Sequence, residues 1–333
     1  MQWGLPWPGP QVAELAEQAG ATAFCAGEFA DTNSYLTTGE MVAATRRALV
    51  GPGIAYAFAR SPFVHASALR HLSARAPGRL FLGLGSGTYR MNTDWFASAA
   101  SEPVRRMEDL VGAIRAYLTA ENGRPVVHEG EFYPIHADIR APVFGRLDVP
   151  ILLGSFNRRM VTAAGRTADG ILGHGVFTDR WWTETIRPNL HDGATAAGRD
   201  PQSLRRWGWL ITAVDEQDPE RGRRDARLQI AFYLTVKTYD TLVELHGWGD
   251  EVAAIRTAFR SGDIAGMAAA VSDEMLDAIA LCGDLQEAGQ RLAARKALPD
   301  LAFLSSPAFM VSDRRRARYA ESAVRLMSAV AAA

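Results

Sequence analysis

A (β/α)8 TIM barrel is the α/β fold this chain predicts, and three observations point to it. Short apolar runs bounded by glycine or proline recur eight times in 333 residues, at 2–5, 23–26, 53–58, 80–84, 150–153, 170–173, 206–213 and 300–304. Helical patterns lie between them. The runs are also apolar without strict alternation, as in Leu80, Phe81, Leu82 and Leu84, which suits parallel strands covered on both faces. Strands alternating with helices over such a length make either a barrel or a doubly wound sheet, and the count of eight favours the barrel. The first run ends in Leu5-Pro6-Trp7-Pro8-Gly9-Pro10. It lacks the GxGxxG turn of a dinucleotide-binding sheet, so that alternative ranks second.

The elements follow in order. Helices are expected at 11–19 (Val12, Leu15, Ala16, Ala19), 39–49 (Met41, Val42, Leu49), 62–75 and 101–120. In the last of these Val104, Met107, Leu110, Val111, Ile114, Tyr117 and Leu118 build one apolar face. Val126-Val127-His128 leading into Glu129-Gly130, and Glu131 to Ile135 leading out, read as a small hairpin. The stretch 214–285, rich in alanine and charge, predicts two to four helices inserted between the seventh and eighth strands, suited to a lid or a dimer surface. No linker divides the chain, so 1–333 is expected to be one barrel domain carrying that insertion.

Composition narrows the function. Lys+Arg 36 against Asp+Glu 37 gives a net charge of −1, which argues against nucleic acid as a partner. The clusters Arg221 to Arg224 and Arg314 to Arg316 lack aromatic interleaving and read as solvated helix faces. Cys25 and Cys282 stand alone, without a disulfide or zinc pattern, which fits a reducing cytoplasm. His128 and His136 flank the hairpin without a third ligand nearby in sequence, so no metal site is expected. No membrane association is expected either, because no segment has the apolar length to span a bilayer.

In a barrel the site forms at the carboxyl ends of the strands. The residues following the runs are Gly27-Glu28-Phe29, Ala59-Arg60-Ser61, Ser86 to Arg90, Gly154 to Arg158, His174-Gly175, Thr212 and Ser305-Ser306. No paired carboxylates, HExxH, GxSxG, Walker loop or Cys/His nucleophile motif occurs among them. A glycine-rich, aromatic site short of nucleophiles suits a cofactor that carries the chemistry itself, such as a flavin or deazaflavin. Gly85-Ser86-Gly87 after an apolar strand allows close approach of a ligand to backbone, although the same pattern also serves as a plain tight turn. Trp207, Trp209, Tyr56 and Phe58 are candidates for an apolar substrate wall or for core.

Several segments together resemble the bacterial-luciferase-like flavin-dependent oxidoreductases. They are Gly51-Pro52-Gly53-Ile54, Ala59-Arg60-Ser61-Pro62, Gly78 to Gly87, Pro150 to Gly154, Ala164 to Ile171, Glu129 to Tyr133 and Leu281 to Leu285, in the family's order over about residues 10–310. Gly51-Pro52-Gly53-Ile54 is most similar to the branch typified by methylenetetrahydromethanopterin reductase, which uses coenzyme F420. The resemblance implies a non-proline cis peptide between Gly53 and Ile54, forming a bulge behind the deazaflavin ring. It further implies that Gly85, Ser86, Gly87 and Thr88 lie along the cofactor and that Arg90 reaches its acidic tail. Gly154, Ser155, Asn157, Arg158 and Arg159, at a strand-to-helix junction, would take a phosphate, or else act as a helix cap with surface arginines. Asp169 reads as structural, capping a helix end or bracing a turn.

One departure concerns the second strand, where related deazaflavin enzymes often carry an acidic residue followed by His. Here the pair is Glu28-Phe29, which weakens any acid–base role that depends on that His. Glu28 is a candidate proton donor or cofactor contact, or else a salt-bridged rim carboxylate; His174 is a candidate polar contact, or else a satisfied core histidine. The resulting expectation is an F420-dependent oxidoreductase that moves a hydride to or from a small organic substrate, as a homodimer. The alternatives are an FMN-dependent two-component monooxygenase and a catalytically silent ligand-binding barrel. Glycine at 85, 87 and 154 argues against the silent barrel.

Overall fold

The computed structural model describes residues 1–139 and 145–332. The strands are β1 (Gln2–Pro6), β2 (Ala21–Ala26), β3 (Leu49–Pro52), β4 (Ala55–Tyr56), β5 (Leu82–Gly85), β6 (Val126–His128), β7 (Ile135–Ala137), β8 (Ile151–Gly154), β9 (Gly170–Gly173), β10 (Arg205–Val214), β11 (Ala280–Gly283) and β12 (Leu301–Ser305). The helices are α1 (Pro10–Gln18), α2 (Ser34–Ala44), α3 (Pro62–Ser73), α4 (Pro103–Leu118), α5 (Arg158–Thr167), α6 (Arg187–Ala196), α7 (Pro219–Leu234), α8 (Asp240–His246), α9 (Gly249–Ser261), α10 (Ile264–Ala269), α11 (Asp273–Ile279), α12 (Leu285–Ala294) and α13 (Asp313–Ala332). They fall into two compact units, one of residues 1–23, 173–188 and 206–333 and the other of 24–172 and 189–205.

The second unit carries the parallel run β9–β8–β5–β4, with β3 bridged to the chain before β5 through Val50 and Leu80 and β2 beside β3. Leu82, Leu84, Ile151, Leu152 and Leu153 are fully buried, each worth about 1.5–3 kcal/mol against exposure. Helices α3, α4 and α5 pack side by side. Pro103 opens α4, and Met107, Leu110, Val111, Ile114 and Leu118 form its buried stripe, as the spacing predicts. Helix α2 begins five residues before the predicted 39 because Asn33 caps it, accepting from the Tyr35 and Leu36 amides. It ends at Ala44, and the Leu49 assigned to it from sequence opens β3 instead. The hairpin forms as β6 and β7, antiparallel. Asp109 of α4 holds it, with Oδ1 2.6 Å from His128 Nε2 and Oδ2 accepting from the Phe132 and Tyr133 amides. Burial opposes ionisation there, but these hydrogen bonds and the His128 charge keep the Asp109 carboxyl below its usual range. Asp169 braces β8, its Oδ2 accepting from Ile151 N and from Arg115, each at 2.8 Å.

The first unit carries β1–β12–β10, with β11 paired in parallel to the end of β10. Between β10 and β12 the sequence predicts two to four helices; five are present before β11, namely α7 to α11. Strand β11 is a correction to the expected all-helical insertion 214–285. Its four buried residues, too few to show a period, continue directly from α11, so the apolar run looks like helix. Helix α12 is fixed by a capping box between Asp284 and Glu287. Among the described residues no helix is long and apolar enough to cross a membrane.

Candidate functional site

The strand from Leu49 to Tyr56 is interrupted by a cis peptide between Gly53 and Ile54, as the resemblance implies. Glycines let the backbone bulge fit. A Cβ at Gly51 would lie 2.0 Å from Phe81 O, one at Gly53 2.7 Å from Cys25 Cβ, and one at Gly83 2.6 Å from Pro52 O. The half-buried Ile54 side chain then lies across two of the predicted site glycines. A Cβ at Gly85 would meet Ile54 Cδ1 at 2.8 Å, and one at Gly154 would meet Ile54 Cγ2 at 3.0 Å. The sequence reading reserved those glycines for close approach of a ligand to backbone. In the structure Ile54 occupies that space, and the surface that results is an aliphatic side chain backed by two strand ends.

The loop after β5 is held by Asn92, whose buried amide donates to Ser86 O and Thr88 O, each at 2.8 Å. Gly87 adopts φ +66, in the left-handed region where glycine is favoured. Thr88 Oγ1 accepts from Met91 N. Arg90 stands in solvent, 3.6 Å from Asp94, and is not drawn toward the glycines. At the β8–α5 junction Ser155 is buried and Asn157 takes the extended conformation of a helix cap. Arg158 and Arg159 form the exposed first turn, which carries no acidic residue, and neither makes an ion pair among the described residues. A helix start with free amides and two guanidinium groups attracts an anion, phosphate above all.

Glu28, after β2, is almost fully buried and committed on both oxygens. Oε1 pairs with Arg60 Nη2, and Oε2 accepts from Arg60 Nη1 and from Tyr56 N, each at 2.8 Å. This is the salt-bridged arrangement the sequence left open. Arg60 also lies over the Tyr35 ring, 5.3 Å from its centroid. Burial and the Glu28 charge raise the Tyr35 phenol, partly countered by Arg60, so its hydroxyl stays protonated and donates to His65 Nδ1 at 2.6 Å. His65 Nε2 in turn donates to Ala57 O at 3.0 Å. Sequence reasoning missed Tyr35 and His65 as members of this network, because no local pattern joins residues 30 apart.

His174, after β9, belongs to the other unit. Its Nδ1 accepts from Val176 N at 3.3 Å, which leaves the ring proton on Nε2, 3.2 Å from the Tyr239 hydroxyl. Tyr233 packs edge-on at 4.4 Å. Trp207 is core, edge-on to Phe303, and Phe58 is buried beneath Arg106; Tyr56 is half-buried and borders a cavity.

Burial holds both His65 and His174 down to about 4, against an ordinary 6.5, so both are neutral at pH 7. The folded state therefore binds fewer protons than the unfolded chain between these values. The contribution is complete above pH 6.5 and is lost as pH falls toward 4, up to about 3 kcal/mol per histidine. In urea unfolding at pH 7 and pH 4.5, the drop in stability is expected to be smaller in His65→Gln than in the wild-type chain. An equal drop in both excludes His65 as a source of the acid sensitivity.

Comparison with known proteins places the chain in a family. The family described as luciferase-like monooxygenase matches residues 9–300. An uncharacterised protein of Mycobacterium tuberculosis is 33% identical over 247 residues, 72% of each chain. The 5,10-methylenetetrahydromethanopterin reductase of Archaeoglobus fulgidus is 26% identical over 285 residues, 84% of this chain and 83% of its own. The coenzyme F420-dependent tetrahydromethanopterin reductase of Methanopyrus kandleri superposes with a TM-score of 0.77 at 21% identity, covering 97% of both chains, which shows the fold. The chain has the α/β TIM-barrel fold expected from its sequence and belongs to the luciferase-like monooxygenase family of oxidoreductases.

Proposed function

We propose that the protein is an F420-dependent oxidoreductase that moves a hydride between the deazaflavin and an organic substrate. The observation that carries this reading is Ile54, which lies across Gly85 and Gly154 as an aliphatic shelf. A flat ring fits such a surface, and the cationic start of α5 fits its phosphate. Gly53, Ile54, Gly85 and Gly154 would back the ring, with Ser86, Gly87 and Thr88 along it. Ser155, Asn157, Arg158 and Arg159 would take the phosphate. Arg90, tied only to an exposed aspartate, is free to turn to an acidic tail. The deazaflavin, when bound, supplies the hydride; the chain supplies orientation.

Glu28 enters this reading as a side chain whose oxygens accept from Arg60 and the Tyr56 amide and so fix both, rather than as a proton donor. His174, held down to about 4 by burial, is a weak base and carries no imidazolium proton near neutral pH, so this reading gives it no acid–base role. An F420-dependent glucose-6-phosphate dehydrogenase among the relatives, 30% identical over 199 residues, supports the cofactor assignment. The family's description as monooxygenases supports the second reading, the same fold with reduced FMN. Fluorescence titration of the purified protein with F420 and with FMN separates the two. Saturable F420 binding with no FMN binding is expected, and the reverse result rejects the first reading.

A further inference from the structure

The second unit holds a cavity of about 620 Å3 that the cofactor reading does not use. It opens beside the glycine loop and shares Tyr56 and Phe96 with it; a Cβ at Gly87 would lie 3.6 Å from Phe96 and 3.7 Å from Tyr56. Its mouth is apolar and exposed. Phe29 is 60% exposed, Trp95 57% and Leu36 74%, although all are large hydrophobic side chains. Phe29 and Trp95 meet edge to face at 5.8 Å, and Tyr56 and Phe96 lie tilted to one another at 5.0 Å.

These side chains are held out by built structure rather than left loose. Phe29 and Thr32 exchange backbone hydrogen bonds at 3.0 and 3.3 Å, closing a tight loop, and Asn33 then caps the helix that presents Leu36. Exposed aromatics around a concave surface mark a binding site, and the volume suits a small organic molecule.

The charges choose the class of ligand. Arg60, the one cation among the described lining residues, is bound by both oxygens of Glu28, so an incoming anion finds no free guanidinium among them. Asp31, the remaining charge, repels anions further. We propose that this cavity binds the substrate of the reaction and that the substrate is an uncharged molecule with a flat ring, held between Phe29, Trp95 and Tyr56. The proposal rests on the reading of the chain as a hydride-transferring oxidoreductase and adds the substrate class.

The test uses the full chain, with and without F420, and two ring probes that differ in charge: 2-naphthalenemethanol and 2-naphthoate, followed by ligand-observed NMR. The alcohol is expected to bind at least about tenfold more tightly than the acid. Trp95→Ala and Phe29→Ala, both exposed positions, are each expected to weaken the alcohol by about tenfold or more. Equal or tighter binding of the acid overturns the proposal, as does unchanged binding in both variants. A Trp95→Ala chain that alters oligomeric state but not alcohol affinity assigns the patch to a second copy and also overturns it. If F420 does not bind but the probe pattern holds, the cofactor reading fails and the cavity assignment stands. If F420 binds and the pattern is absent, only the cavity assignment fails.

Discussion

Gly85→Ala is expected to lower stability by about 1–3 kcal/mol and to weaken cofactor binding, because the added methyl enters the space of Ile54. The new Cβ would lie 2.8 Å from Ile54 Cδ1 and 3.0 Å from Cγ1, closer than side chains tolerate. The isoleucine must turn away from the strand ends, and the shelf is lost with it. The pairing of these two residues yields a sharper expectation. In an Ile54→Ala background the nearest remaining atom is Cβ at 3.5 Å, an ordinary contact, so Gly85→Ala should then cost little. A double-mutant cycle in urea measures the coupling directly. Additive effects would mean that Ile54 is not what the missing side chain of Gly85 accommodates.

Glu28→Ala is expected to destabilise the chain by about 3–5 kcal/mol, since it leaves the Arg60 guanidinium without its partner in a largely buried position. The same substitution removes the acceptor of Tyr56 N. Glu28→Gln keeps the shape and an acceptor oxygen, so it is expected to restore part of the loss but not the ion pair. Replacing both partners, as Glu28→Gln with Arg60→Met, should recover more stability than either change alone, because no buried charge is then left unpaired. Equilibrium unfolding of the wild-type chain, Glu28→Ala, Glu28→Gln, Arg60→Met and the double variant checks the order. If Glu28→Ala costs no more than a surface substitution, the pair is not holding this end of β4.

Much of the fold is legible in the sequence because buried parallel strands read as continuous apolar runs, and Leu80 to Leu84 or Ile151 to Leu153 need no alternation to be recognised. The misplacements have physical causes. β3 begins at Leu49, and the bulge at Gly53–Ile54 splits what reads as a single run at 53–58. β11 is too short to separate from the helix before it. The candidate site reads in the sequence as glycines, but the sequence does not show what they accommodate. That Ile54 fills the space over Gly85 and Gly154 depends on side-chain packing between strands, which no local spacing encodes. The Glu28–Arg60 pair, 32 residues apart, and the Tyr35–His65 contact, 30 apart, are likewise products of tertiary packing alone.

Seating of a deazaflavin on the Ile54 shelf is what the proposed function requires. A crystal structure of the protein grown with F420 tests it most directly. Ring density is expected against Ile54, and phosphate density at the start of α5, near Arg158 and Arg159. Ordered F420 bound elsewhere, with Ile54 and the α5 start untouched, would contradict it.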